Sequence, residues 1–157
     1  MEWYEAFAER VRGFRLAKWE ELPDLGLYMD QVITFLERQY RPLFGGDKRI
    51  ITPAMINNYV KSGLVSRPVQ KKYDREQIAQ LSMLCALKQA ISLDDMRLLM
   101  QVQDGESVEA TYRAFCAEEE RAVQRFRGIL QEHEPLQCAI HGAAYQLLCE
   151  EMLHAKT

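Results

Sequence analysis

Residues Met55 to Val65 read MINNYVKSGLV and set two adjacent amides, Asn57 and Asn58, next to Lys61. Asparagine forms helices poorly because its side chain competes for nearby backbone groups, so the pair calls for a reason. At about 100° per residue, Met55, Ile56, Tyr59 and Val60 share one arc of the helix. Ala54, Asn57, Asn58 and Lys61 fall on the opposite side, which leaves the amides on an open face. A primary amide donates and accepts from one plane, the match that the N6/N7 edge of adenine offers in a DNA major groove. Lys61 can reach guanine or a phosphate, and Ala54 leaves room for close approach. The plainer reading is a solvated polar face of the kind every surface helix carries.

The local punctuation positions this face. Thr52 is a good N-cap, Pro53 suits the first turn and Gly63 stands where a left-handed residue is wanted, so a helix is predicted over Pro53–Ser62. The following LVSRPVQKKY is short and contains proline, with β-tolerant residues at Leu64-Val65 and Lys72-Tyr73. It predicts a small hairpin, a wing that carries Arg67, Lys71 and Lys72 toward flanking phosphates. Thr52, Ala54, Asn57, Asn58 and Lys61, with the cations Arg49, Arg67, Lys71 and Lys72, form the candidate DNA-binding set.

Charge is unevenly spread. Between Arg38 and Arg75 there are nine basic residues and two acids, while the whole 157-residue chain has a net charge of −3. A segment near +7 inside an otherwise acidic chain suits a local anionic partner. It also suits a solvated loop and helix face. Hydrophobic residues make up 48% and charged residues 27%, enough for a soluble domain with a real core. No apolar run approaches the ~20 residues of a membrane span. The start, MEWYEAFAERVRGF, carries early acids and no uninterrupted apolar stretch, unlike a secretory signal. Cys85, Cys116, Cys138 and Cys149 are far apart and lie in helix-like segments, which favours reduced thiols and a cytoplasmic location.

Around the central face the pattern is helical. An amphipathic helix is predicted over residues 2 to about 19, and a second from about Leu25 to Tyr40, separated by Pro23 and Gly26. Asp74 with Gln77 resembles a capping box and opens DREQIAQLSMLCALKQA, apolar on most faces and therefore the central core helix. Ser92 with Asp95 caps LDDMRLLM, which ends before Asp104-Gly105. From Val108 through Tyr112, Phe115, Glu119, Ala122, Phe126 and Ile129 to His133 the spacing alternates 4 and 3, as in a heptad seam that Glu119 weakens. Pro135 interrupts it, and a last helix carries Leu136, Ile140, Ala143, Leu147 and His154 on one stripe. The two helices after Ser107 either fold back as an antiparallel hairpin or meet a second subunit in a homodimer. Three segments result: an N-terminal helix (1–20), a DNA-binding domain (22–104) and a helical hairpin for dimerisation or an effector (106–157).

Other chemistries find little support. Gly45-Gly46 with Lys48 lacks the glycine spacing and the Ser/Thr of a phosphate loop. Cys138 and His141, with His133, Cys149 and His154 nearby in sequence, lack regular metal-ligand spacing, so no metal is expected. No cation run beside Cys116 or Cys138 suggests a reactive thiolate. The carboxylate pairs sit on polar faces, and no Ser-His-Asp set or dinucleotide fingerprint is visible, so neither an enzyme nor a cofactor is expected.

Taken together, TPAMINNYVKSGLV, a short basic turn, KKYDREQIAQL and SLDDMRLLM resemble the N-terminal DNA-binding domain of MerR-type regulators over Thr52 to about Met100. LPDLGLYMDQVITFL (22–36) with MINNYVKSGL is also similar to an uncharacterised bacterial family usually described as transcriptional regulators. The resemblance implies a mostly α fold with a MerR-like winged helix-turn-helix and a small β-hairpin wing. It also implies sequence-specific binding of double-stranded DNA and dimerisation through C-terminal helices. Two departures stand out. Asn57-Asn58 occupies a position where that class usually carries Arg-Tyr, and the helix before it is separated by about ten residues instead of being adjacent. The competing reading is a protein-interaction or small-ligand-binding module on the same scaffold, without DNA binding.

Overall fold

The computed structural model describes residues 3–102, 106–129 and 134–155. The described elements are α1 (Trp3–Arg12), a 3-10 turn (Trp19–Glu21), α2 (Met29–Phe44), α3 (Pro53–Lys61), α4 (Arg75–Leu87), α5 (Leu93–Val102), α6 (Val108–Ile129) and α7 (Pro135–Ala155). Asp104-Gly105 and His133 lie outside the described residues.

The core is built on α4, whose residues Gln77 through Leu84 include Ile78, Ala79 and Leu81 with no measurable exposure. Val32, Leu36 and Tyr40 of α2, Ile56 and Tyr59 of α3, and Tyr112 of α6 close around it. Leu16 and Leu22 join the same cluster, so one core draws on all three segments of the sequence. A polar network runs through it. Tyr40 donates its hydroxyl to the Ser82 carbonyl at 2.6 Å, and Gln39 Nε2 donates to Ser82 Oγ at 2.8 Å. Gln39 Oε1 accepts the Ala17 amide at 2.9 Å, and Tyr112 donates to the Ala17 carbonyl at 2.7 Å. Each polar side chain of this network thereby finds a partner, as burial demands.

Three expectations about the elements are corrected. The N-terminal helix stops at Arg12, not near residue 19. Gly13 follows, and the irregular backbone of residues 13–18 is what lets Leu16 and Ala17 reach Gln39 and Tyr112. The second helix continues past Tyr40 through RPLF. Phe44 stacks on Tyr40 (5.7 Å), and Arg41 donates to the carbonyls of Gly46 (2.8 Å) and Lys48 (2.9 Å) while pairing with Glu37. These bonds hold the chain as it leaves the helix, where backbone carbonyls lack intrahelical donors.

The third correction is larger. Among the described residues the fold is helical with no strand or sheet, so the β-hairpin wing, and with it the winged helix-turn-helix, is not present; mostly α holds. Leu64 and Val65 are buried, and their amides donate to the Tyr59 carbonyl at 3.0 and 3.3 Å, finishing α3 instead of entering a ladder. Pro68 has no N–H to give. What survives of the hairpin is a two-residue turn closed by Val69 and Lys72, whose backbones exchange bonds of 3.2 and 2.9 Å. Tyr73 then bonds back to back with Leu27, on a different part of the chain.

α6 and α7 also separate in role. The α6 seam packs inward, with Tyr112 fully buried, Phe115 and Cys116 against the core and Phe126 5.9 Å from Phe7 of α1. α7 makes its main contact with α5. No helix among the described residues is long and apolar enough to cross a membrane.

Candidate nucleic-acid interface

α3 is fastened at both ends and along one side. Thr52 Oγ1 accepts the Met55 amide at 3.3 Å, and Pro53 occupies the first turn. At the other end Gly63 takes φ +80°, a conformation that costs other residues a steric clash. Arg97 of α5 adds a bond from Nε to the Ser62 carbonyl at 3.3 Å, complementing the negative end of the helix. Ile56 and Tyr59 are buried, and burial raises the Tyr59 phenol above its ordinary range. Pro53, Ala54, Asn57, Asn58 and Lys61 are all exposed, so a single face of the helix presents two amides and a cation.

The 66–73 turn owes its position to α4. Asp74 and Gln77 form a capping box: Asp74 Oδ1 accepts the Gln77 amide at 2.9 Å, and Gln77 Oε1 accepts the Asp74 amide at 2.8 Å. The same Gln77 side chain, only 3% exposed, donates from Nε2 to the Ser66 carbonyl (3.0 Å), Ser66 Oγ (3.1 Å) and the Arg67 carbonyl (3.1 Å). One glutamine therefore starts the core helix and ties down the base of the basic turn. At the tip Gln70 and Lys71 have φ of +51° and +63°. Two non-glycine residues in the left-handed region hold local strain of about 1–2 kcal/mol each.

The turn is braced from the other side by residues 26–28. Leu27 and Tyr73 exchange backbone bonds of 2.9 and 2.8 Å. A Cβ on Gly26 would lie 2.9 Å from Lys72 Cβ, so the absence of a side chain there permits the approach. Lys72 Nζ sits 5.3 Å from the centre of the Tyr28 ring, a cation–π contact that steadies the lysine without neutralising it.

The structure brings some of the candidate residues together. Arg49 and Lys71 line one groove of about 630 Å³ with Pro53, the first residue of α3, and with Asp30 and Thr34 of α2. Arg49, Arg67, Lys71 and Lys72 are exposed. Two other cations of the basic segment are committed elsewhere: Arg41 to Glu37 and loop carbonyls, and Arg75 to the face of Trp19 at 5.8 Å. Lys88 donates to the Ile50 carbonyl, and Glu37 Oε1 accepts the Ile50 amide at 2.6 Å, which anchors the segment just after Arg49.

Several positioning residues have little or no signature in the sequence. Arg97 lies 35 residues from Ser62. Tyr28 looks like a core aromatic by spacing yet is 48% exposed beneath Lys72. Gln77 is the exception, since its capping role follows from the Asp-x-x-Gln spacing and only its second role does not. None of the four cysteines is joined to another, and burial pushes the Cys85 thiol up to about 12. Among the described residues no group of three His, Cys, Asp or Glu is arranged to hold a metal.

Residues 17–115 match the family described as "Domain of unknown function (DUF1836)". No curated protein and no solved structure matches the chain. The matched residues run from the segment that meets Gln39 and Tyr112 to the first turns of α6, and they contain α3, the basic turn and all the residues that brace them. The chain belongs to the DUF1836 family.

Proposed function

We propose that this DUF1836 chain binds double-stranded DNA in a sequence-dependent manner and acts in the cytoplasm as a transcriptional regulator. The observation that carries the reading is the exposed face of α3, where Asn57, Asn58 and Lys61 stand on a helix anchored by its opposite side. A helix so held can enter a major groove as a rigid body, its amides matching adenine edges and Lys61 reaching guanine or phosphate. Arg49, Arg67, Lys71 and Lys72 neutralise phosphates and set the register, with a turn in place of a wing. The MerR resemblance over Thr52–Met100 supports α3 as the reading element. A regulator of this kind engages two half-sites as a homodimer.

Selection of the purified full chain against a random duplex library tests the reading, and an enriched two-fold site is the expected result. Four to six phosphate contacts should give a log–log salt slope of roughly −4 to −5. Asn58→Ala should cost about 1–3 kcal/mol at one base position, whereas Lys71→Ala should weaken every duplex alike. Absence of duplex binding at low salt would refute the proposal and assign the basic surface to an acidic protein partner.

A further inference from the structure

The groove that Arg49 and Lys71 share has walls that a row of DNA phosphates does not explain. Its two cations come from separate segments, and each is held at the backbone. Glu37 Oε1 accepts the Ile50 amide at 2.6 Å and Lys88 donates to the Ile50 carbonyl, which fixes the chain beside Arg49. Lys71 stands at the tip of the braced turn with φ +63°, a sparsely populated conformation of the kind retained where a side chain must be aimed. Among the described residues neither cationic side chain has a hydrogen-bonding or ionic partner. The groove walls include the half-buried Met29 and Ile33, the ring of Tyr28 and the carboxylate of Asp30, which is likewise without a partner among the described residues. That carboxylate repels a phosphate backbone, yet it suits a ligand that is anionic at one end and rich in N–H donors at the other.

We propose that this groove binds a guanine nucleoside monophosphate, its phosphate between Arg49 and Lys71 and its base on Met29 and Ile33 with the amino edge toward Asp30. The charges match, because a phosphomonoester carries about −1.5 to −2 at pH 7 and meets two cations. Arginine supplies a planar fork for the phosphate oxygens and lysine a mobile point charge. A purine ring has apolar faces that suit aliphatic walls, and an edge that must still find polar partners. Guanine sets N1–H beside its N2 amino group, two donors that one carboxylate accepts with both oxygens. Thr34 favours the same edge: its hydroxyl already donates to the Asp30 carbonyl at 2.9 Å, so toward the groove it can only accept. The volume of about 630 Å³ lies within the range of about 300–1,000 Å³ usual for small-molecule sites. Binding of the nucleotide needs nothing from the DNA reading. Its consequence does rest on that reading, since a bound nucleotide withdraws Arg49 and Lys71 from duplex phosphates and so lowers DNA affinity.

Equilibrium dialysis of the full chain against GMP, AMP, ribose 5-phosphate and inorganic phosphate tests the assignment. GMP should bind at least tenfold more tightly than AMP, and the two phosphates without a base more weakly still. Arg49→Gln and Lys71→Gln should each weaken GMP at least tenfold while leaving the helical circular dichroism unchanged. Asp30→Asn should erase the preference for GMP over AMP without weakening ribose 5-phosphate. No retention of GMP at about 5 mM overturns the proposal. So does GMP bound no more tightly than AMP or inorganic phosphate, or a GMP affinity indifferent to both cation variants. Duplex binding measured in parallel keeps the two proposals separable. A chain that binds GMP but no duplex refutes the DNA reading and leaves this site standing, whereas a duplex affinity unmoved by saturating GMP overturns the regulation.

Discussion

Gln77→Glu isolates what holds the basic turn in place. The substitution preserves size and keeps an oxygen to accept the Asp74 amide, so the capping box survives. It replaces the Nε2 donor with an oxygen facing the Ser66 carbonyl, Ser66 Oγ and the Arg67 carbonyl at 3.0–3.1 Å. The amide has two hydrogens, so two neutral hydrogen bonds are lost, about 1–3 kcal/mol in total. An anion at a site only 3% exposed adds desolvation and repulsion, which brings the expected cost at pH 7 to roughly 3–5 kcal/mol. Uptake of a proton limits that cost, because a carboxylic acid can restore one donor. The introduced group therefore has a folded-state pKa above its unfolded value of about 4.3. The folded state then holds the extra proton, and stability relative to the native chain falls as pH rises through that window. Urea titrations at pH 5 and pH 7, each referred to the native chain, read the difference. At a slope of about 2 kcal/mol per molar, the midpoint should drop by about 1.5–2.5 M at pH 7 and by visibly less at pH 5. Gln77→Ala, without a titratable group, should lose the same amount at both. An equal loss for Gln77→Glu at the two pH values would refute the assignment of Nε2 as the donor to residues 66 and 67.

Three further outcomes follow from the same geometry. Replacing Gln70-Lys71 by Asn-Gly suits two consecutive positive φ angles and should stabilise the fold by about 1 kcal/mol in thermal denaturation, while under the DNA-binding proposal loss of the Lys71 charge should lower affinity for all duplexes alike. Burial raises the Glu119 carboxyl above its usual range, so the folded state binds its proton more tightly than the unfolded state does. Glu119→Gln should therefore stabilise the chain at neutral pH and lose that advantage as pH falls below the ordinary carboxylate range, measured as the Tm difference across pH. At pH 8 the exposed Cys138 should react with a thiol reagent promptly, whereas Cys85, buried with its thiol pushed up to about 12, should wait for unfolding.

Much of the α3 site was legible in the residues themselves. The cap at Thr52, the proline at the first turn, the glycine at the end and the split of Asn57, Asn58 and Lys61 from Ile56 and Tyr59 are local relations. They span three or four residues and follow from helix geometry alone. The capping box at Asp74 and Gln77 belongs to the same class. The wing did not, because β-tolerant residues become strands only when a partner of matching register is near. Here Leu64 and Val65 were drawn into the core, and Tyr73 found Leu27.

The amino-acid sequence by itself determined a mostly α chain, the start and end of α3, the buried character of α4 and a basic segment in an acidic protein. Only the tertiary structure decided that Gln39 and Tyr112 hold residue 17, that Arg97 closes α3, and that α6 is consumed by the core while α7 stands open. Periodicity tells which side of a helix is apolar. What that side meets depends on contacts between residues tens of positions apart, and no local pattern encodes those.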